Sequence, residues 1–134
     1  INLKIPLTFL WIGFVCAISF MEAWLKFTAP GVTLTTGLAI GQVVFGALNK
    51  VELVIALSLG LLVVLDNSWK SASVFFFFAV LILLSQTIYF LPALSSRIDV
   101  YLSGKIPTES SIHVAYFLLE VLKVFALTLY GIKQ

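Results

Sequence analysis

The last apolar stretch of the chain, Ser110 to Ile132, is long enough to cross a bilayer, yet it carries His113, Tyr116, Glu120 and Lys123 at spacings of three, four and three residues. That spacing puts all four on one stripe of an α-helix. An ionisable side chain in hydrocarbon costs roughly 3 kcal/mol or more unless it is paired, hydrated or turned into protein. The stripe therefore demands an interior, and the rest of the chain must supply it.

Composition names the class of that interior. Of 134 residues, 61% are hydrophobic and only 10% are charged, against roughly 25% charged in a soluble domain; the mean hydropathy is +1.14. The chain reads as a polytopic membrane protein of one domain, since four crossings of about 20 residues use most of its length. Cys16 is the lone cysteine, so no intrachain disulfide can form. A net charge of +2 without a Lys/Arg cluster excludes nucleic acid as a partner and gives no polybasic lipid-binding segment.

Taken in order, residues 5–27 are expected to form the first crossing. Pro6 is tolerated in its first turn, and Pro30 and Gly31 end it. The run is read as a crossing rather than a cleaved leader, because Glu22, Trp24 and Lys26 stand where a small-residue cleavage site belongs. Glu22 and Lys26 form an i,i+4 pair in the favourable order. Residues 33–65 as one helix would run about 50 Å, beyond the roughly 30 Å hydrocarbon core. The expected solution is an amphiphilic helix over 33–48 followed by a second crossing over 51–65. Gln42, Asn49 and Glu52 share a face across that join, with Lys50 beside them, and Gly37 and Gly41 form a small-xxx-small pattern. Asp66 to Lys70 make a polar turn, with Trp69 suited to the headgroup belt. The third crossing, 73–91, has Phe75 to Phe78 as apolar bulk, Gln86 and Tyr89 near its exit and Pro92 as its stop. A long loop follows, with Arg97, Asp99 and Lys105 and a short interfacial helix before Gly104. Thr108 to Ser111, Glu109 included, supply capping chemistry for the fourth crossing, 110–132.

This all-α, four-helix membrane bundle places both termini on one face. Its polar residues then gather toward the other: Glu22 and Lys26, Gln42, Asn49 and Glu52, Gln86 and Tyr89, His113 and Tyr116. Headgroup anchoring accounts for Lys26, Lys50, Tyr89 and Trp24 taken singly. Glu120 and Lys123 lie roughly 15 to 20 Å into their helix, near mid-membrane. They are read either as a structural ion pair or as the back wall of a one-sided polar cavity with Glu120 at its deepest point.

No catalytic motif accompanies them. A carboxylate-bridged di-metal bundle needs two Glu-x-x-His pairs, and His113 is the one histidine; bis-His haem ligation fails for the same reason. No Ser-His-Asp set, CxxC pair or phosphate-cradling loop is present, so neither a metal nor a cofactor is expected.

The segments Phe20-Met21-Glu22-Ala23-Trp24-Leu25-Lys26-Phe27, Gly41-Gln42-Val43-Val44-Phe45, Asn49-Lys50-Val51-Glu52, His113-Val114-Ala115-Tyr116 and Leu119-Glu120-Val121-Leu122-Lys123 resemble the bacterial small four-helix membrane proteins of the transmembrane protein 205 and DUF4149 group. The resemblance implies the topology and, through the drug resistance linked to the group's eukaryotic members, the handling of small molecules. A looser similarity to anthrone-oxygenase-like membrane proteins keeps an enzymatic alternative open; that alternative acts on a lipid or quinone-like substrate, with His113 as general base or metal ligand and Tyr116 or Tyr89 as hydrogen-bond partner. The reading preferred is a protein that binds or moves a small molecule or ion through the polar half, working as a homo-oligomer, in a bacterial inner (plasma) membrane. An accessory subunit of a larger complex is the third. Lys4, Lys70 and Lys133 on one face balance Lys26, Lys50, Arg97 and Lys105 on the other too closely to orient the protein.

Overall fold

The computed structural model describes residues 2–67, 73–108 and 110–134; Trp69 and Lys70 of the expected polar turn, and Glu109 of the expected cap, lie outside them. Among the described residues every regular element is helical. Four helices are long and apolar enough to cross a membrane: α1, Lys4–Thr28; α2, Leu34–Leu65; α3, Ser73–Leu102; and α4, Ile112–Ile132. They form an all-α four-helix bundle. Lys4, at the start of α1, pairs with Asp66, just past the end of α2, Nζ to Oδ2 3.3 Å. A Cβ added to Gly131 in the last turn of α4 would lie 2.9 Å from the Phe9 ring of α1. Both contacts require the up-and-down order in which the two ends of the chain meet on one face.

Two boundaries differ from the sequence-based expectation. The separate segments 33–48 and 51–65 are one helix, α2. No proline interrupts Leu48 to Val51, so nothing in the backbone breaks the hydrogen-bond ladder there. Thr33 caps its start, accepting from the Thr36 N–H at 3.2 Å. The third crossing likewise runs through Pro92 to Leu102 instead of stopping at residue 91, and the expected interfacial helix is its continuation. A π-helical turn, Gln86–Phe90, ends two residues before Pro92. The wider ladder there accommodates the missing N–H and the ring. Gly104, at φ +85°, then ends the path of α3 with a conformation that suits glycine.

The lengths shape the bundle. With 32 and 30 residues, α2 and α3 measure about 48 and 45 Å, against about 38 and 32 Å for α1 and α4. The surplus turns of α2 and α3 project together at the end away from the termini. They are clasped by Gln42, whose Nε2 donates to Ser95 Oγ at 2.5 Å and Asp99 Oδ1 at 3.3 Å. The opposite half is solid: Trp11, Leu59, Phe76, Leu83, Leu127 and Tyr130 belong to one buried cluster. Leu57, Leu81 and Phe125 point outward, as helices facing lipid require. Helix α4 packs most extensively, against α1 and α3.

The two glycines of the small-xxx-small pattern receive side chains from the end of α1. A Cβ at Gly37 would lie 2.1 Å from the Phe27 ring, and one at Gly41 2.9 Å from Lys26 Nζ. At Gly46 a Cβ meets nothing within 4 Å. Gly37→Ala is therefore expected to destabilise the protein by about 1–3 kcal/mol through overpacking. Gly46→Ala should stabilise it by up to about 1 kcal/mol through helix propensity. Thermal unfolding of the two variants in detergent micelles measures the difference in sign.

Candidate functional site

Halfway along the bundle the charged stripe of α4 meets the other three helices. Lys123 and Glu120 are both fully buried, where charges survive only with partners. The Lys123 ammonium has three N–H donors and three acceptors: Glu52 Oε2 at 2.5 Å, Glu120 Oε1 at 2.7 Å and Gln86 Oε1 at 2.7 Å. The Gln86 amide is oriented by this arrangement, since its Nε2 donates to Glu120 Oε1 at 2.7 Å. The indole of Trp11 donates to Glu52 Oε2 at 2.8 Å. The Ser19 hydroxyl bonds Glu120 Oε2. Every helix thus contributes: Trp11 and Ser19 from α1, Glu52 from α2, Gln86 from α3, Glu120 and Lys123 from α4.

Ser19 and Gln86 both sit in π-helical turns, Cys16–Glu22 and Gln86–Phe90. Such turns shift the register of the residues they contain and recur at functional sites. Here they aim a hydroxyl and an amide at the same carboxylate.

On the side of the network away from the termini, the helices part around a cavity of about 800 Å³. Glu120 and Ser19 are at its floor, on the side of the buried network. Phe27, Leu38, Phe45, Leu91, Leu94 and Phe117 make much of its wall apolar, while Lys26, Gln42, Asn49, Lys50, Thr87, Ser95, His113 and Tyr116 supply the polar groups. Several are already anchored. Thr87 Oγ1 donates to Asn49 Oδ1 at 2.9 Å, Lys26 pairs with Glu22 at 3.6 Å, and Tyr116 stands edge-on to Phe45 with ring centroids 5.8 Å apart. A second groove runs down the outside between α1 and α4, lined by Phe20, Trp24 and Val121 together with Ser19, Ala23 and Phe117, which also line the cavity. Phe20 and Phe117 meet edge-to-face there, centroids 5.6 Å apart.

The residues expected at the site fall mainly into two sets, the cavity lining and the buried network. Lys26, Gln42, Asn49, His113, Tyr116 and Glu120 line the cavity. Glu52, Gln86 and Lys123 lie behind its floor in the buried network, and Glu22 holds Lys26 from outside the lining. Tyr89 belongs to neither. It is 63% exposed and packs on Phe90, because the π-helical turn carries it off the face that Gln86 occupies. Trp11, Ser19, Thr87 and Ser95 were missed. Each reads singly as apolar bulk or a small helix residue, and only the carboxylate or amide opposite gives it a role. Among the described residues no three His, Cys, Asp or Glu side chains come together as a metal site.

Compared with known protein families, curated proteins and solved structures, the chain matches none.

Removing one partner from a buried ionic network strands the others. Lys123→Met, which leaves Glu52 and Glu120 facing each other, is expected to cost about 3–5 kcal/mol. Tyr89→Ala, on the outer surface, should stay within about 0.5 kcal/mol of the parent. Equilibrium unfolding in mixed micelles compares them.

Proposed function

We propose that this is an integral membrane protein of a bacterial inner (plasma) membrane that binds a small amphiphilic molecule in the cavity between its four helices. The observation that carries the reading is the cavity itself: its volume of about 800 Å³ falls in the range of small-molecule sites, about 300–1,000 Å³. Its make-up also matches such sites, which are mostly apolar with a few placed polar groups. The apolar body of the ligand lies against Phe27, Leu38 and Phe45, and its polar head meets Gln42, Asn49, Lys50 and His113. The groove between α1 and α4 supports uptake from the bilayer, since Trp24, Phe117 and Val121 are exposed along it and Ser19, Ala23 and Phe117 also line the cavity. Movement across the membrane then requires the apolar half to open or a second copy to complete the path, in keeping with a homo-oligomer or a larger membrane complex. On this reading what the chain's resemblance to the transmembrane protein 205 and DUF4149 group implies is small-molecule handling.

Gly46 provides the test, because a side chain there grows into open space without meeting a neighbour within 4 Å at its Cβ. Gly46→Leu should keep or raise the melting temperature and weaken binding of the amphiphilic dye anilinonaphthalene sulfonate at least tenfold in nanodiscs. Undiminished stoichiometric binding by a folded Gly46→Leu protein would place the ligand elsewhere.

A further inference from the structure

The buried network does not balance its charge. Two carboxyl groups, Glu52 and Glu120, contact one ammonium, Lys123, and Trp11, Ser19 and Gln86 are neutral. With both carboxyls ionised the cluster carries a formal charge of −1 in the middle of the bundle, at side-chain exposures of 0–2%. An uncompensated charge there is far costlier than a neutral cluster. One proton balances it.

Hydrogen-bond direction rules out two of the four carboxyl oxygens, and of the remaining two only Glu120 Oε2 belongs to a residue that lines the cavity. Glu52 Oε2 receives the Lys123 ammonium and the Trp11 N–H; Glu120 Oε1 receives Lys123 and the Gln86 NH₂. These partners only donate, so those two oxygens must accept. The contact between Ser19 Oγ and Glu120 Oε2 is different, because a hydroxyl both donates and accepts. It can run in either direction. Both residues also line the cavity, so a proton held there has a way out.

We propose that Glu120 Oε2 holds an exchangeable proton, shared with the Ser19 hydroxyl, and that a proton is therefore the second ligand of this cavity. The titratable groups that face the cluster are Cys16 on α1, Glu52 on α2, and Tyr116 and Lys123 on α4, and Lys26, Lys50 and His113 line the same cavity; α3 contributes the neutral Gln86. Loss of the proton leaves the cluster negative and favours a cation at the floor. Uptake of the proton removes that preference. Coupling to a bound molecule rests on the cavity being a binding site; the protonation does not.

Infrared spectroscopy of the wild-type protein in nanodiscs at neutral pH tests the proposal without any added ligand, which separates its failure from failure of amphiphile binding. A protonated-carboxyl C=O band that shifts in ²H₂O is expected. The band should disappear in Glu120→Gln, and also in Glu52→Gln, where the remaining carboxylate and ammonium already balance. Ser19→Ala keeps the charge count, so the band should persist at a shifted frequency. A wild-type spectrum with no such band overturns the proposal, and that result needs no variant to fold. A band that survives Glu120→Gln or Glu52→Gln in folded protein overturns the assignment of the proton to this cluster, and a band unmoved in Ser19→Ala overturns its placement on Glu120 beside Ser19.

Discussion

The Lys123 ammonium, with its three donors divided among Glu52, Glu120 and Gln86, is the constraint that the rest of the structure satisfies. Buried ion pairs contribute little net stability over apolar packing. Their effect is to make alternatives costly. Helices covered in Leu, Val and Phe slide past one another in lipid without much penalty, since lipid is as apolar as their side chains. Only an alignment that brings α2, α3 and α4 together at this depth satisfies all three donors, and Trp11 and Ser19 hold α1 to the same level.

From that level the two halves of the bundle part ways. Toward the termini, large apolar side chains from all four helices close the core around Leu59, Leu83 and Leu127. Away from them, the surplus turns of α2 and α3 lean on each other through Gln42 and Ser95, while the shorter α1 and α4 end sooner. The cavity is the consequence of unequal helix lengths above a pinned layer. The two π-helical turns lie at that layer and supply Ser19 and Gln86 to Glu120. The proposed binding of an amphiphile rests on a cavity whose floor is a hydrogen-bonded carboxyl and whose wall is grooved toward the lipid.

Much of this was legible in the sequence, for a definite reason. The stripe on α4 keeps a regular α-helical period, so His113, Tyr116, Glu120 and Lys123 could be placed on one face, and burial made partners obligatory. Glu52 and Gln86 followed from topology. Tyr89 does not follow, because a three-residue spacing from Gln86 shares a face only at the α-helical angle and the chain adopts a π-helical turn there. The same turn carried α3 through Pro92, where proline alone predicts an end. The division of residues 33–65 failed on a different ground: the length limit of the hydrocarbon core governs what lies in lipid, and α2 simply extends past α1 and α4. Trp11 and Ser19 carry no signal of their own; an indole N–H and a small hydroxyl become informative only once a carboxylate is known to stand opposite.

The bundle opens to one side of the membrane as far as the Glu120 layer and is sealed beyond it. Labelling of single cysteines in a Cys16→Ser background, with a membrane-impermeant maleimide applied to vesicles of either orientation, tests it most directly. Asn49→Cys and Ser95→Cys should react only from the face opposite the termini, and Leu59→Cys, in the apolar half, from neither. Reaction of Leu59→Cys, or of the two cavity cysteines from the face that carries the termini, would contradict the account.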